Sequence, residues 1–402
     1  MFKSQTSQDG KTVAMKILIV GGGIGGITAA LMLAKKDYTV ELFEKKRFPS
    51  ELGAGIQLSP NCTSLLHDVG IGDSLRRKAV VSSKLNIRHW KNGKSIHSQA
   101  LKGVEEAPYY LIHRGDLLEI LTMEADKCPG IKIYYESNVT SVGQDKNKTW
   151  LHSNGYSYTG DALIGADGIR SAVRQQVFDN QHPCRTENIA WRSVVPAEVL
   201  PAHMSNPLTT IWWGPGKHIV TYPVRSGKLL NCVYIAKVKS DIDLNSWSRK
   251  GERSELYEIF DGWHSDIGNL ITKAKESSIY KWALYDKPAM KSWTNERVTL
   301  LGDACHPALP FLAQGAAMAI EDASVLSRCL SASTSSVAQN LRAYESRRLA
   351  NTRLIQTISR ANARIFHLSG PLAWIRNKTC RYLIPRITNH IYRSQTKEEQ
   401  IT

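Results

Sequence analysis

Apolar residues in this chain fall into short runs punctuated by glycines and acids, and the run lengths alternate between those of strands and helices. The first run, Lys16–Val20, is long enough for one buried strand. Gly21, Gly22, Gly23, Ile24, Gly25 and Gly26 follow directly, and an Ala- and Leu-rich stretch over residues 27–35 then reads as a helix. Residues 38–43, β-branched and aromatic, read as a second strand ending on Glu44. Helices are predicted over 61–75 and 113–126, the latter starting near Arg114, and a hairpin over 87–101 turns at Asn92-Gly93. Strands are predicted at 131–135, at 149–158 with a turn at Asn154-Gly155, and at 162–166, which runs into Asp167-Gly168.

The pattern changes near Cys184. Strands at 190–195, 209–213, 218–224 and 229–236, divided by Pro and Gly turns, read as an antiparallel sheet, with helices after them at 252–259 and 265–274. A buried strand returns at 298–301, and the chain is helical from 314 to about 364. Leu354, Ile358, Ala361, Ile365 and Leu368 recur at helical spacing, which assigns them to a face packed on the body. Residues 374–393 mix aromatic and apolar side chains with Arg376, Lys378, Arg381, Arg386 and Arg393. Two readings stand for them: a final amphipathic helix on the core or in a dimer contact, or a peripheral membrane helix. Pro385 is expected to interrupt it. Trp191, Trp212 and Trp213 are read as core or sheet-packing residues rather than substrate stackers.

Composition narrows the function classes. The 402 residues suit two joined domains. Lys and Arg number 52 against 36 Asp and Glu, a net charge of +16. That excess fits solvated surface, anionic ligands or an anionic membrane surface. The basic residues are scattered and carry no nucleic-acid-binding signature. Seven cysteines without a C-x-x-C pair argue against disulfides and zinc, so no metal is assigned. No apolar run approaches the roughly 20 residues of a membrane span. Residues 1–15 are polar, are read as a disordered tail, and lack a signal peptide, which makes the cytoplasm the default location.

The glycine turn carries the first chemistry. Gly21 and Gly23 permit a tight turn and close approach to a pyrophosphate, Gly26 lets the helix pack on the strand, and the helix N-terminus, with Ile24 and Gly25, faces the phosphates. Glu44, about twenty residues on, can accept hydrogen bonds from an adenosine ribose. The pattern is that of NAD or FAD.

Two later motifs separate these. Gly165-Ala166-Asp167-Gly168-Ile169-Arg170-Ser171 resembles the Asp-Gly motif of the single-component (group A) flavoprotein aromatic hydroxylases, the salicylate hydroxylase and hydroxybenzoate hydroxylase family. Leu301-Gly302-Asp303-Ala304-Cys305-His306-Pro307, with Ala313-Gln314-Gly315-Ala316 and Glu321-Asp322-Ala323 after it, resembles that family's Gly-Asp motif and following helix. The likeness runs from about Lys16 to Leu368. It implies an α/β fold: a Rossmann-like FAD-binding domain interrupted by an antiparallel-sheet substrate domain, with C-terminal helices. The boundaries would be 16–183 for the first part, with 76–101 joining the substrate sheet, then 184–293 for the substrate domain, 294–345 for the return segment, and 346–402 for the C-terminal helices.

The resemblance further implies FAD as cofactor, NADH or NADPH and O2 as co-substrates, and hydroxylation of a small phenolic or aromatic-acid substrate through a flavin C4a-hydroperoxide, by a monomer or homodimer. It places Asp303 at the ribityl chain and the helix start at Gln314, Gly315 and Ala316 by the flavin pyrimidine. It also places Asp167, Arg114, Lys45, Arg47, Val139, Gly55 and Ile56 along the cofactor. His218 and Tyr222, four apart on one strand, would face the substrate, with His218 as general base and a structural histidine as the alternative. Gln57, where some relatives place a histidine, would only orient substrate, and Pro310 and Phe311 would make the pocket more apolar. His306 is read as support for the flavin loop, and Cys305 as buried filler. A quinone-biosynthesis hydroxylase at the membrane surface and a non-hydroxylating flavin protein remain as alternatives.

Overall fold

The computed structural model describes residues 15–47, 55–101, 107–178, 181–204, 206, 208–238, 249–332 and 335–392. Residues 1–14 of the expected tail, Gly53 and Ala54, and Arg393 lie outside them. Lys16–Val20 is central to a six-stranded sheet, between Thr39–Phe43 and Ala162–Gly165, and both pairings are parallel. Ile131–Tyr134 extends the sheet on one side, and Val298–Leu300 and Thr294–Asn295 extend it on the other. Helices Ile24–Ala34, Arg114–Asp126 and Gly315–Leu330 share one core with this sheet, as does a three-stranded sheet of Val139–Gln144, Thr149–Ser153 and Tyr156–Gly160. Strands enclosed in this way are apolar at every position, which is why Ile17, Leu18 and Ile19 show no alternation.

A second, seven-stranded sheet has the order Tyr280–Asp286, Cys184–Pro196, Leu229–Lys237, Lys217–Val224, Leu208–Gly214, Lys84–His89, Ser95–Ala100. One face packs on helices Arg253–Ile259 and Ser265–Lys273 through Trp191, Trp212, Ile219 and Tyr234. The alternate positions line a cavity. The sheet is not wholly antiparallel. Leu208–Gly214 runs parallel to Lys84–His89, because the hairpin comes from far earlier in the chain and the intervening residues supply the long crossover that parallel pairing requires.

Three other expectations are corrected. Residues 61–75 form two helices, Pro60–Asp68 and Gly72–Lys78, separated at Gly70, whose φ of 99° is left-handed. Helix Gly370–Tyr392 runs unbroken through Pro385, with Thr388 bonded to Ile384 (2.9 Å) and to Gln99 (2.8 Å) of the neighbouring strand. Trp213 is buried in a core like Trp191 and Trp212, as expected, but on the cavity side of the sheet under Arg376. In helix Val337–Ile365 the apolar stripe is not the buried one: Leu354 and Ile365 are exposed. The buried positions of this stretch are Thr352, Ile355, Gln356, Ser359, Asn362 and Ala363, more polar than apolar. Gln356, Ser359 and Asn362 donate to the carbonyls of Pro307, Leu309 and Phe311, so this helix spends polar groups on holding a loop.

Leu372, Trp374, Ile375, Tyr382 and Leu383 of the last helix are exposed. Among the described residues no helix is long and apolar enough to cross a membrane.

Candidate active site

The glycine turn is fixed by steric contacts that tolerate no side chain. A Cβ on Gly21 would lie 2.4 Å from the Ala166 carbonyl oxygen, and one on Gly26 would lie 1.9 Å from that of Gly21. Gly25 abuts Leu301 and Ala319, and Ile24 is buried, so these two seat the helix rather than line the cleft. At Gly23 an added Cβ would meet no protein atom. Glu44 accepts from the Gly22 and Lys46 amides at 2.7 and 2.9 Å, holding the turn open.

Gly21, Gly22 and Gly23 border a cleft of about 300 Å³ with Glu44, Lys45, Val139, Asp167 and Arg114. Arg47 is exposed and lines neither this cleft nor the cavity beyond it. Asp167 accepts from the Ala172 and Val173 amides at 2.7 and 3.2 Å, while its Oδ1 is buried without a partner. Burial raises its carboxyl.

Arg114 and Arg170 also line a second cavity of about 710 Å³, which joins the cleft to the seven-stranded sheet. Asp303, Gly315 and Ala316 border its near end. Asp303 is open to the cavity yet enclosed by protein, and burial raises its carboxyl despite His306 and Arg114. Gln314 turns away to donate to Ser59 at 3.0 Å, so helix Gly315–Leu330 begins without a side-chain cap and its first amides are left for a ligand. A steric cradle at a pyrophosphate-sized turn, an unpartnered carboxylate further along and an uncapped helix start beyond it form an elongated donor–acceptor set. It fits FAD, with the flavin ring toward the larger cavity.

Behind this edge lies a buried ionic network. Asp322 accepts from Arg348 Nε (2.7 Å), the Gly302 amide (3.0 Å) and, with His306 Nε2 as donor, at 2.7 Å. Glu321 accepts from Arg348 and Asn61. Burial alone would raise the Asp322 carboxyl, but His306 and Arg348 hold it down at about 2. Cys305, His306 and Asp322 lie close enough to hold a metal ion. However, burial raises the Cys305 thiol and Asp322 is saturated with donors, so the cluster works as a brace.

The far wall is the sheet. His218, Val220 and Tyr222 alternate along Lys217–Val224 and all line the cavity, as do Ala190 and Arg192, Val233 and Ile235, and Trp282 and Leu284 on neighbouring strands. Pro310 and Phe311 close it from the loop side. Gln57 accepts from Tyr109 at 2.8 Å. Gly55 packs on Tyr222, where an added Cβ would lie 2.5 Å from the ring, and donates its amide to Asn231. Burial keeps Tyr222 a neutral phenol.

Sequence reasoning missed Arg192. Its guanidinium stacks 4.4 Å from Trp282 and has no carboxylate partner among the described residues; its Nε is buried and unbonded. Burial pushes it down to about 10, so it stays cationic at neutral pH. The available signal was a lone arginine on the same strand parity as Ala190.

A family model described as an FAD binding domain matches residues 14–358. The chain is 34% identical to a 3-hydroxybenzoate 6-hydroxylase of Klebsiella oxytoca over 369 residues, covering 90% of this chain and 91% of the relative. It is 33% identical to a 6-hydroxynicotinate 3-monooxygenase of Pseudomonas fluorescens over 357 residues, covering 86% and 91%. A solved salicylate hydroxylase substrate complex superimposes with a TM-score of 0.82 at 23% identity, covering 95% of this chain and 96% of that one. Matched over most of its length by the family model and at one-third identity by these relatives, the chain belongs to the FAD-binding family of flavoprotein aromatic hydroxylases.

Proposed function

We propose that this protein is an FAD-dependent monooxygenase that hydroxylates a small aromatic substrate carrying a ring hydroxyl and an anionic group. The carrying observation is the continuous cavity from Asp303, Gly315 and Ala316 to the sheet face of His218, Tyr222 and Arg192. The chemistry supplied by bound FAD is hydride uptake from NADH or NADPH and activation of O2 for transfer of one oxygen atom. The chain does the rest. Val220, Ile235, Leu284 and Phe311 supply an apolar wall that holds the ring and keeps water from it. Arg192, unpaired in its wall, is neutralised by a substrate carboxylate or phenolate. Tyr222 donates a hydrogen bond, and His218 takes the proton of the ring hydroxyl.

Purified yellow protein is expected to oxidise NADH or NADPH faster in the presence of one class of hydroxybenzoates or hydroxypyridines, with hydroxylated product formed. Flavin without stimulation by any compound, or stimulation yielding peroxide alone, counts against the reading. With the active compound, Arg192→Met should raise KM about 10- to 100-fold, the value of a charge-assisted hydrogen bond of about 1.5–3 kcal/mol. A neutral analogue of the same shape should lose much less. An equal loss for both would remove Arg192 from anion recognition.

A further inference from the structure

His218 is not alone in its wall. Its Nδ1 lies 2.8 Å from Nε2 of His367, a residue just beyond helix Val337–Ile365 and 149 positions away in sequence. Both rings are buried, His218 at 1% exposure and His367 at 8%, and Phe311 and Phe366 pack around them. The Gly216 amide donates to the His367 carbonyl at 3.0 Å, tying the turn before the strand to the end of the helix. The His218 ring lines the cavity. With Nδ1 committed to His367, Nε2 is the nitrogen left to meet a substrate hydroxyl.

Two imidazoles sharing one hydrogen bond have two neutral arrangements. If His218 donates from Nδ1, its Nε2 carries a bare lone pair and can accept a proton. If His367 donates from Nε2, His218 instead carries hydrogen on Nε2 and can only donate to the cavity. The partner therefore decides whether the cavity-facing nitrogen is a base. His367 has no second bond that fixes its own hydrogen, since its Nδ1 is buried and unpartnered.

We propose that His367 is a positioning residue for His218, and that the two rings form one proton-accepting unit for the substrate hydroxyl. This rests on the hydroxylase reading and assigns a partner to its base. The substrate O–H bond breaks and an N–H bond forms at His218 Nε2. His218 Nδ1–H stays bonded to His367 Nε2, so the positive charge that forms on His218 is steadied by the lone pair of the outer ring. The electron pair stays on the substrate oxygen, as phenolate. The charged groups acting on the pair are Lys237, from the strand Leu229–Lys237, and Arg376, from the last helix, which donates to the Ile365 and Phe366 carbonyls. Burial holds His218 well below the ordinary imidazole range, with His367 adding to the effect. Burial, Lys237 and Arg376 hold His367 at about 4. Both rings are thus neutral at pH 7. The proton-accepting form persists above about pH 4 and is lost as pH falls through that value. Once product leaves, Lys237 and Arg376 drive the captured proton off.

The test uses the FAD-loaded enzyme and nitrophenols as probes, beginning with 4-nitrophenol and 4-hydroxy-3-nitrobenzoate, whose absorbance reports their ionisation. Bound to the wild type, the probe should ionise at lower pH than in solution. His367→Leu should move that ionisation back up by about one pH unit, a tenfold change, and cut hydroxylation kcat by about tenfold while leaving FAD content unchanged. His367→Gln, whose Oε1 can accept from Nδ1–H, should restore most of both. Coincident curves for wild type and His367→Leu would overturn the inference, as would equal losses in the Leu and Gln variants, which would mark packing alone. Long-range proton–nitrogen spectra of histidine-labelled wild type provide a check that needs no variant: hydrogen on His218 Nε2 in the free holoenzyme would also overturn it. A wild type that binds no phenol at all would sink the aromatic-hydroxylase reading first, and this inference with it.

Discussion

Gly26→Ala is expected to purify without flavin colour. The new methyl would sit 1.9 Å from the Gly21 carbonyl oxygen, a backbone atom that cannot rotate away. Gly21 is pinned in turn, with φ at 107° and Ala166 on its other side. Helix Ile24–Ala34 must therefore lift off the strand, which misplaces the amides that would face the pyrophosphate. Overpacking of this kind costs about 1–3 kcal/mol in the fold. A further loss of about 3 kcal/mol in cofactor contacts corresponds to FAD affinity about 100-fold weaker. Gly23→Ala is the companion measurement. Its methyl would enter the cleft and touch no protein atom, so it should lower FAD affinity with little change in the melting temperature of the FAD-free protein. The ratio of flavin to protein absorbance after gel filtration reads both variants. Gly26→Ala at full flavin stoichiometry would refute the steric account.

Arg348→Met should be the most destabilising single change in the return segment. Arg348 is fully buried and bonded to both Glu321 and Asp322. Removing it leaves two buried carboxylates facing each other, at a cost of about 3–5 kcal/mol. That is a large part of the 5–15 kcal/mol typical of a folded protein. The penalty is pH-dependent. In the wild type Asp322 is held at about 2, below its unfolded value of roughly 3.9. It therefore stabilises at neutral pH and loses that contribution as pH falls from about 4 toward 2. In the variant burial dominates, and acid relieves the strain by protonating the carboxylates. The gap in melting temperature between variant and wild type should narrow as pH drops from 7 to 5. Combining Arg348→Met with Glu321→Gln and Asp322→Asn should recover much of the loss. A gap that is constant with pH would assign the damage to lost packing instead.

The cofactor half of the site was readable because its constraints are local. A tight turn needs Gly21, and helix-on-strand contact needs Gly26; such demands leave residue types at fixed spacing. Asp303 and the helix start at Gly315 were instead assigned through the resemblance of their motif to that of the family. The substrate half depends on which strands become neighbours. The one signal at Arg192, its strand parity with Ala190, was ambiguous, since an arginine alternating with apolar residues also describes a solvated strand face. His367 follows Ile365 and Phe366 at a helix end, 149 positions from His218, and only the fold brings the two together. The buried face of helix Val337–Ile365 misled for a related reason. Periodicity assigns burial to apolar residues, whereas Gln356, Ser359 and Asn362 are buried to satisfy loop carbonyls. Tyr280–Asp286, a strand against Cys184–Pro196, was passed over as a connection.

The parallel contact between Leu208–Gly214 and Lys84–His89 bears on how such a protein can change its chemistry. The seven-stranded sheet that lines the larger cavity draws its strands from both sides of Ala162–Gly165, a strand of the six-stranded sheet. No single contiguous stretch of gene therefore encodes it. A fragment spanning 184–286 would leave Leu208–Gly214 as a raw edge, open to pairing with other chains. Recombination with a breakpoint between Ala100 and Cys184 would split that sheet. Side-chain exchanges that reshape the cavity and spare the fold are therefore confined to one face of that sheet, because the opposite face packs on helices Arg253–Ile259 and Ser265–Lys273.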